Sequence, residues 1–206
     1  MDTGLAPVRV EDIAAQPNFR HLSSLRGVQL DLRYVGSNNF AGRSLYGDLD
    51  CAWLRSEAAT GLEIAAQWLA RQHPGWKLRV LDALRPQRVQ EAIWRDVEGT
   101  PMAMYFAHPG RGSIHSFGMA VDVTLWGPHG MEADMGSGFD EMSELSHPEL
   151  HDHHLASGAL TAAQIAEREL LRKAMAHGGF AGISTEWWHF DHGDRRTVRR
   201  DFPRVL

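Results

Sequence analysis

The sequence predicts an α+β fold, a single domain with a mostly antiparallel central sheet flanked by helices. Long stretches with apolar residues at helical spacing stand apart from short stretches that alternate apolar and polar residues. The two kinds follow one another without the strand-helix-strand rhythm of a parallel sheet. The 206 residues suffice for one core with few spare parts.

The elements follow in order. The first fifty residues are turn-rich: Gly36, Asn38, Asn39, Gly42 and Gly47 break up short extended pieces such as 28–35. Residues 1–27 are expected to be an N-terminal extension packed on the domain, which spans 1–206. Leu54, Ala58, Leu62, Ala65 and Leu69 predict a helix over 53–72, which Gly61 interrupts at some cost and His73-Pro74-Gly75 ends. Leu78 and Val80 share one face of a strand over 77–82. Pro86 suits the first position of a helix running to about Val97. Val121, Val123 and Leu125 alternate again. Thr161 and Gln164 form a capping box for the last long helix, and Gly178-Gly179 stop it. A strand over 187–191 closes the core.

Bulk composition excludes several functions. At 43% hydrophobic and 23% charged, the chain is globular rather than disordered. A net charge of −5 argues against a nucleic-acid partner, and Arg195, Arg196, Arg199, Arg200 and Arg204 read as a solvated tail. No apolar run is long enough for a membrane span, and the N-terminus lacks an export pattern, so the expected location is the cytoplasm. The lone Cys51, beside Ala52, Trp53 and Leu54, reads as a buried structural thiol and excludes a cysteine-rich zinc site. Twelve histidines are unusual and direct the search to metal ligands.

The segment SIHSFGMAVDVTL, from Ser113 to Leu125, offers His115 and Asp122. On an unbroken strand this odd spacing would point them to opposite faces. Gly118 permits a sharp turn between them. Beyond it, Val121, Val123 and Leu125 share one face, and Asp122 joins Ala120 and Thr124 on the other. From spacing alone, His115 capping a loop and Asp122 marking a turn remains the plainer reading. Near the C-terminus, STEWWHF offers Glu186 and His189. Both reach one ion only if Glu186 sits in a turn or bulge before the strand. The densest histidine cluster, HPELHDHH from His147 to His154, lies in a polar, proline-containing segment with no flanking strand. It reads as a solvated loop.

Together, Ser113, His115, Gly118, Ala120 and Asp122, followed by EWWH at 186–189, resemble the zinc D-Ala-D-Ala dipeptidases of the vancomycin-resistance type. The wider group is the hedgehog-like zinc D,D-peptidases. RYVGSNNFAGR at 33–43, Arg85-Pro86 and MGSGFDEMSELSH at 135–147 resemble further pieces of that family in the same order. The resemblance implies one zinc ion per chain, held by His115, Asp122 and His189, and a small D,D-dipeptide as substrate. It implies hydrolysis of D-Ala-D-Ala to two D-Ala by a zinc-bound water that Glu186 activates. It makes Arg85 the oxyanion's partner, sets Asp140 and Tyr34 on the substrate ammonium, and leaves Ser113 as a lesser substrate contact. A peptidoglycan D,D-carboxypeptidase of the same group and a non-catalytic zinc module are the competing readings. Ala83, Leu84 and Phe117 depart from the family's usual residues, which bears on substrate preference rather than on the reaction. The sequence leaves oligomeric state open.

Overall fold

The computed structural model describes residues 7–206; the first six residues of the expected extension lie outside them. The strands are β1 (Phe19–His21), β2 (Val28–Leu30), β3 (Trp53–Arg55), β4 (Lys77–Asp82), β5 (Ala120–Trp126), β6 (Phe180–Gly182) and β7 (His189–His192). The helices are α1 (Ser56–Gln72), α2 (Gln87–Val97), α3 (His151–Ser157), α4 (Ala162–His177) and α5 (Arg195–Asp201). The central sheet has five strands in the order β2-β4-β5-β7-β6. Only β2 and β4 run parallel; the other pairs are antiparallel, as the missing βαβ rhythm predicts. The α+β class is therefore correct.

Helices α1 and α4 bury Leu62, Ala65, Leu69, Leu171 and Met175 against Leu78, Val80, Val121, Val123 and Leu125 of the sheet. The alternation in β4 and β5 is the imprint of this packing. Gly61 has a packing reason for its place in α1. A Cβ there would lie 2.3 Å from the carbonyl oxygen of Gly178, so the glycine lets α1 reach the end of α4. A second apolar cluster joins Tyr34, Tyr46 and Cys51 to Val89, Ile93 and Val97 of α2. Cys51 is buried, and burial pushes its thiol well above the ordinary range.

Several boundaries differ from expectation. The first helix starts at Ser56 because residues 53–55 pair with β1 instead. Only Val28–Leu30 of the extended piece 28–35 is strand; Asp31 and Arg33 still donate to Val80 and Leu81 before the chain turns away. Pro86 caps α2 rather than opening it, which keeps its ring outside the helical ladder. The last sheet strand covers 189–192, not 187–191, because Trp187 and Trp188 bend into the core. The capping box of Thr161 and Gln164 is present. No described helix is long and apolar enough to cross a membrane.

Candidate active site

The site lies on the face of the sheet turned away from α1 and α4. Asp122 of β5 and His189 of β7 are direct register partners across the antiparallel pair. Asp82 of β4 pairs with Asp122 on its other side. By simple alternation Asp82 would share the apolar face with Leu78 and Val80. The register shifts between Val80 and Asp82, leaving Leu81 as the extra residue of a bulge, and this re-aims Asp82 toward the site.

His115 arrives from a short turn of 3-10 helix, Ile114–Phe117, that Gly118 ends at φ 69°. That left-handed backbone reverses the chain into β5, so the odd separation from Asp122 no longer sends the two side chains apart. A Cβ at Gly118 would also sit 2.8 Å from the Phe19 ring. The buried Arg55 braces the same turn. Its Nε donates to the Phe117 carbonyl at 2.9 Å, its backbone N–H donates to Gly118, and Phe19 and Phe202 flank its guanidinium.

Ligand atoms of His115, Asp122 and His189 all fall within 4.8 Å of one another. His115 Nε2 lies 3.1 Å from His189 Nδ1 and 3.3 Å from Asp122 Oδ1, and His189 Nδ1 lies 3.0 Å from the same oxygen. Ligands about 2.0–2.1 Å from a tetrahedral ion stand about 3.3 Å apart, so these separations suit such an ion. The outer nitrogens are already committed. His115 Nδ1 meets the Ala83 carbonyl at 2.7 Å, and His189 Nε2 meets Asp191 at 2.9 Å. When each outer nitrogen donates, the inner nitrogens present lone pairs to one point beside a carboxylate. That donor set fits a cation. Burial works against the His189 imidazolium, but Asp191 and Asp122 outweigh it and raise the ring's pKa well above the ordinary value. Burial likewise opposes ionisation of Asp122, and the two histidines outweigh it.

Glu186 occupies the irregular stretch between β6 and β7, as its parity with His189 requires. It is buried, and burial raises its carboxyl to about 7, within reach of general-base work near neutrality. Arg85 grips Asp82 through Nε and Nη2, at 3.1 and 2.7 Å, and its Nη2 lies 3.6 Å from Asp122. Its guanidinium sits 4.9 Å from the centre of the Tyr34 ring. Tyr34 in turn donates to Asp140 at 3.4 Å, and the backbone N–H of Phe40 donates to the other oxygen. Asp140 is no exposed turn residue. It is buried at φ 60°, a left-handed conformation that a non-glycine residue adopts only when its surroundings enforce it. Burial, helped by Asp122, pushes its carboxyl up to about 8. Ser113 is buried at the wall of the same cavity, which encloses about 210 Å³ and is also lined by Arg85, His115, Asp140 and Glu186.

The histidine-rich segment is not a solvated loop. Residues 151–157 form α3, and His147 and His154 are buried, because their rings hold the neighbouring loop. His147 bonds the Tyr105 hydroxyl at 3.1 Å and His154 meets the Glu144 carbonyl at 2.8 Å. Among the described residues, only His115, Asp122 and His189 form a cluster fit for an ion. The arginine tail is likewise structured. Arg195 pairs with Asp191, Arg199 donates to the Gly112 carbonyl, and both line the cavity.

Sequence reasoning missed Asp82, Asp191, Arg55 and Arg168. Arg168 of α4 is buried and donates to Met135 O, Leu145 O and Ser137 Oγ, pinning the loop that carries Asp140. Only Asp191 left a usable signal, an acidic residue two places after a candidate ligand, where strand parity keeps both on one face.

Residues 19–206 match the model of the D-Ala-D-Ala dipeptidase family. A D-alanyl-D-alanine dipeptidase of Escherichia coli is 38% identical over 80% of this chain and 78% of its own length. Dipeptidases of the same name from Streptomyces coelicolor and Enterococcus faecium are 31% and 30% identical, over 80% and 87% of this chain and 85% and 89% of their own lengths. Among solved structures, the LdcB LD-carboxypeptidase, described with its peptidoglycan recognition, superposes with a TM-score of 0.50 at 16% identity. That match covers 89% of this chain and 72% of the other, a likeness of fold.

Proposed function

The chain belongs to the D-Ala-D-Ala dipeptidase family of metallopeptidases, and we propose that it hydrolyses D-Ala-D-Ala to two D-Ala with one zinc ion per chain. The observation that carries this reading is a single small cavity. It brings three convergent metal-ligand atoms together with a buried carboxyl of raised pKa and a second buried carboxyl.

His115, Asp122 and His189 would hold the ion, and Ala83 O and Asp191 would fix the two imidazoles in their ligating tautomers. Zinc supplies Lewis acidity to the scissile carbonyl and lowers the pKa of water to about 7. Glu186 takes the proton of the attacking water and returns it to the leaving amine. Arg85 keeps its charge, because the cost of burial is outweighed by the carboxylates of Asp82 and Asp122 beside it, and it stabilises the developing oxyanion. One such donor contributes about 3 kcal/mol to the transition state.

Asp140 recognises the free ammonium of the substrate. A buried carboxyl held neutral at pH 7 ionises when a cation arrives beside it, with Tyr34 and the Phe40 N–H bracing the carboxylate. An acylated amine offers no such charge and leaves the group unpaired.

The test is turnover of D-Ala-D-Ala, L-Ala-L-Ala and an N-acylated pentapeptide ending in D-Ala-D-Ala, with and without chelator. Cleavage of the free D,D-dipeptide alone, abolished by chelator, supports the proposal. Cleavage of the acylated peptide alone assigns a D,D-carboxypeptidase instead. Glu186→Gln should lose at least about a thousandfold in kcat while retaining stoichiometric zinc. Unchanged turnover would remove Glu186 from the mechanism.

A further inference from the structure

A chain of touching side chains crosses the floor of the cavity. Asp140 meets Tyr34, whose ring lies under Arg85, and Arg85 reaches Asp122. Asp122 meets His189, His189 meets Asp191, and Asp191 meets Arg195. A carboxyl therefore stands at one end of this line, an arginine at the other, and the metal-ligand triad between them.

Arg195 is not alone at its end. Arg111 and Arg199 also line the cavity there. Arg199 spends its Nε and Nη2 on the Gly112 carbonyl at 3.2 Å, which leaves its charge uncompensated. Arg111 is exposed, with no ion pair or side-chain hydrogen bond among the described residues. Arg204 packs close by, its side chain bonded, among the described residues, only to the carbonyls of Pro109 and Gly110. Among the described residues, Asp191 is the one carboxylate paired with this group, and it is shared with His189. Burial, and then Arg111 and Arg195, lower the pKa of Arg199, as expected where like charges crowd. A chain of net charge −5 has concentrated unpaired cations at one end of its cavity.

A free dipeptide is a zwitterion, with its ammonium and carboxylate on opposite sides of the single amide bond. We propose that Arg111 and Arg199, with Arg195 behind them, form a subsite for the C-terminal carboxylate of the leaving residue. This rests on the dipeptidase reading and deepens it. Asp140 selects for a free amine, and the arginine collar selects for a free acid one residue beyond the cut. A guanidinium is suited to this because its fork of N–H donors matches a carboxylate and stays charged at all working pH values.

The experiment compares D-Ala-D-Ala with its C-terminal amide on the zinc-loaded enzyme, for the wild type, Arg111→Ala, Arg111→Glu and Arg199→Lys. Binding of both compounds to Glu186→Gln is followed in parallel by isothermal titration. Wild type should prefer the free acid by tenfold or more in kcat/KM. Arg111→Ala should cut that preference several-fold, chiefly through KM, and Arg111→Glu should abolish it. Arg199→Lys keeps the charge and should retain most of it. The acid's KM should also rise with ionic strength more than the amide's.

Equal cleavage of acid and amide by the wild type, or a preference untouched in Arg111→Glu, overturns the collar and leaves the dipeptidase standing. Selective binding of the acid through Arg111 without any hydrolysis keeps the collar and overturns the dipeptidase. Absence of both binding and cleavage overturns both.

Discussion

Asp122 and His189 face each other across adjacent antiparallel strands, with Oδ1 of one 3.0 Å from Nδ1 of the other. Strand register, rather than any loop, sets this pair, so two of the proposed ligands sit on paired strands of the central sheet. The third, His115, depends on a turn. Metal affinity should therefore respond differently to the two kinds of support. Asp191→Asn keeps the sheet but weakens the grip on His189 Nε2. It should raise the zinc dissociation constant about 10–100-fold with little change in melting temperature, read by competition with a chromogenic chelator. An unchanged constant would deny Asp191 this role.

Gly118→Ala should do the reverse and damage the fold along with the site. Alanine at φ 69° is strained, and its Cβ would meet Phe19 at 2.8 Å and the Arg55 backbone nitrogen at 3.3 Å. A loss of about 1–3 kcal/mol in denaturant unfolding is expected. Bound zinc should fall below one per chain because His115 is displaced. A fully stable, stoichiometrically loaded variant would show that the turn does not need its glycine.

How the site could be foreseen follows from these two residues. The clean alternation of β5 put Asp122 on the polar face, and the odd spacing of Glu186 and His189 required irregular backbone between them. Spacing alone favoured a plain turn, and the family resemblance is what marked all three as site residues. Asp82 did not, since the bulge at Leu81 breaks the period that the eye follows. Arg55 and Arg168 are buried cations satisfied mostly by backbone carbonyls, and no spacing rule marks a side chain whose partners lie 62 and 33 residues away. The arginines after Asp194 look like a tail because their charge is dense. The structure folds Arg195, Arg196, Arg199 and Arg200 into α5, capped by Asp194, and packs that helix beside the 3-10 turn that carries His115, a placement that no local pattern announces. The family resemblance pointed to Asp140 without revealing its left-handed backbone or its burial.

Asp140 should trade stability for recognition. An ordinary aspartate ionises near 3.8, and this one is held at about 8. Below pH 4 both folded and unfolded chains carry the proton, and the carboxyl costs nothing. Between about 4 and 8 the unfolded chain releases the proton and the folded chain does not, so stability falls as pH rises. The loss is complete above pH 8. Asp140→Asn removes this linkage. In chelator at pH 7 it should be more stable than wild type by on the order of 2–4 kcal/mol, and the gain should vanish toward pH 4. The same variant should raise KM for D-Ala-D-Ala at least tenfold. A pH-independent difference in stability would show that Asp140 is ionised in the free protein.

Arg168 and Ser137 connect the two arms of the site. Ser137 Oγ accepts from Arg168 Nη2 and from the Trp187 indole N–H, each at 3.0 Å, and lies 2.9 Å from Ser146 Oγ. Ser146 in turn donates to the Glu141 carbonyl, next to Asp140. Trp187 adjoins Glu186. One hydrogen-bonded network thus links Glu186, the carboxyl proposed to move the proton, to Asp140, the carboxyl proposed to hold the ammonium. Arg168→Met leaves three acceptors without their donor and should cost about 2–4 kcal/mol. Ser137→Ala strips the indole N–H of its partner at about 1–3 kcal/mol. A bracing role alone would lower the melting temperature and nothing else. Positioning predicts more: Ser137→Ala, assayed well below its own melting point, should bind zinc normally yet show a raised KM for the free dipeptide. Its preference for a free over an acylated amine should also weaken, because Asp140 would no longer meet the ammonium while Glu186 activates the water. An unaltered preference at full occupancy would reduce the network to scaffolding.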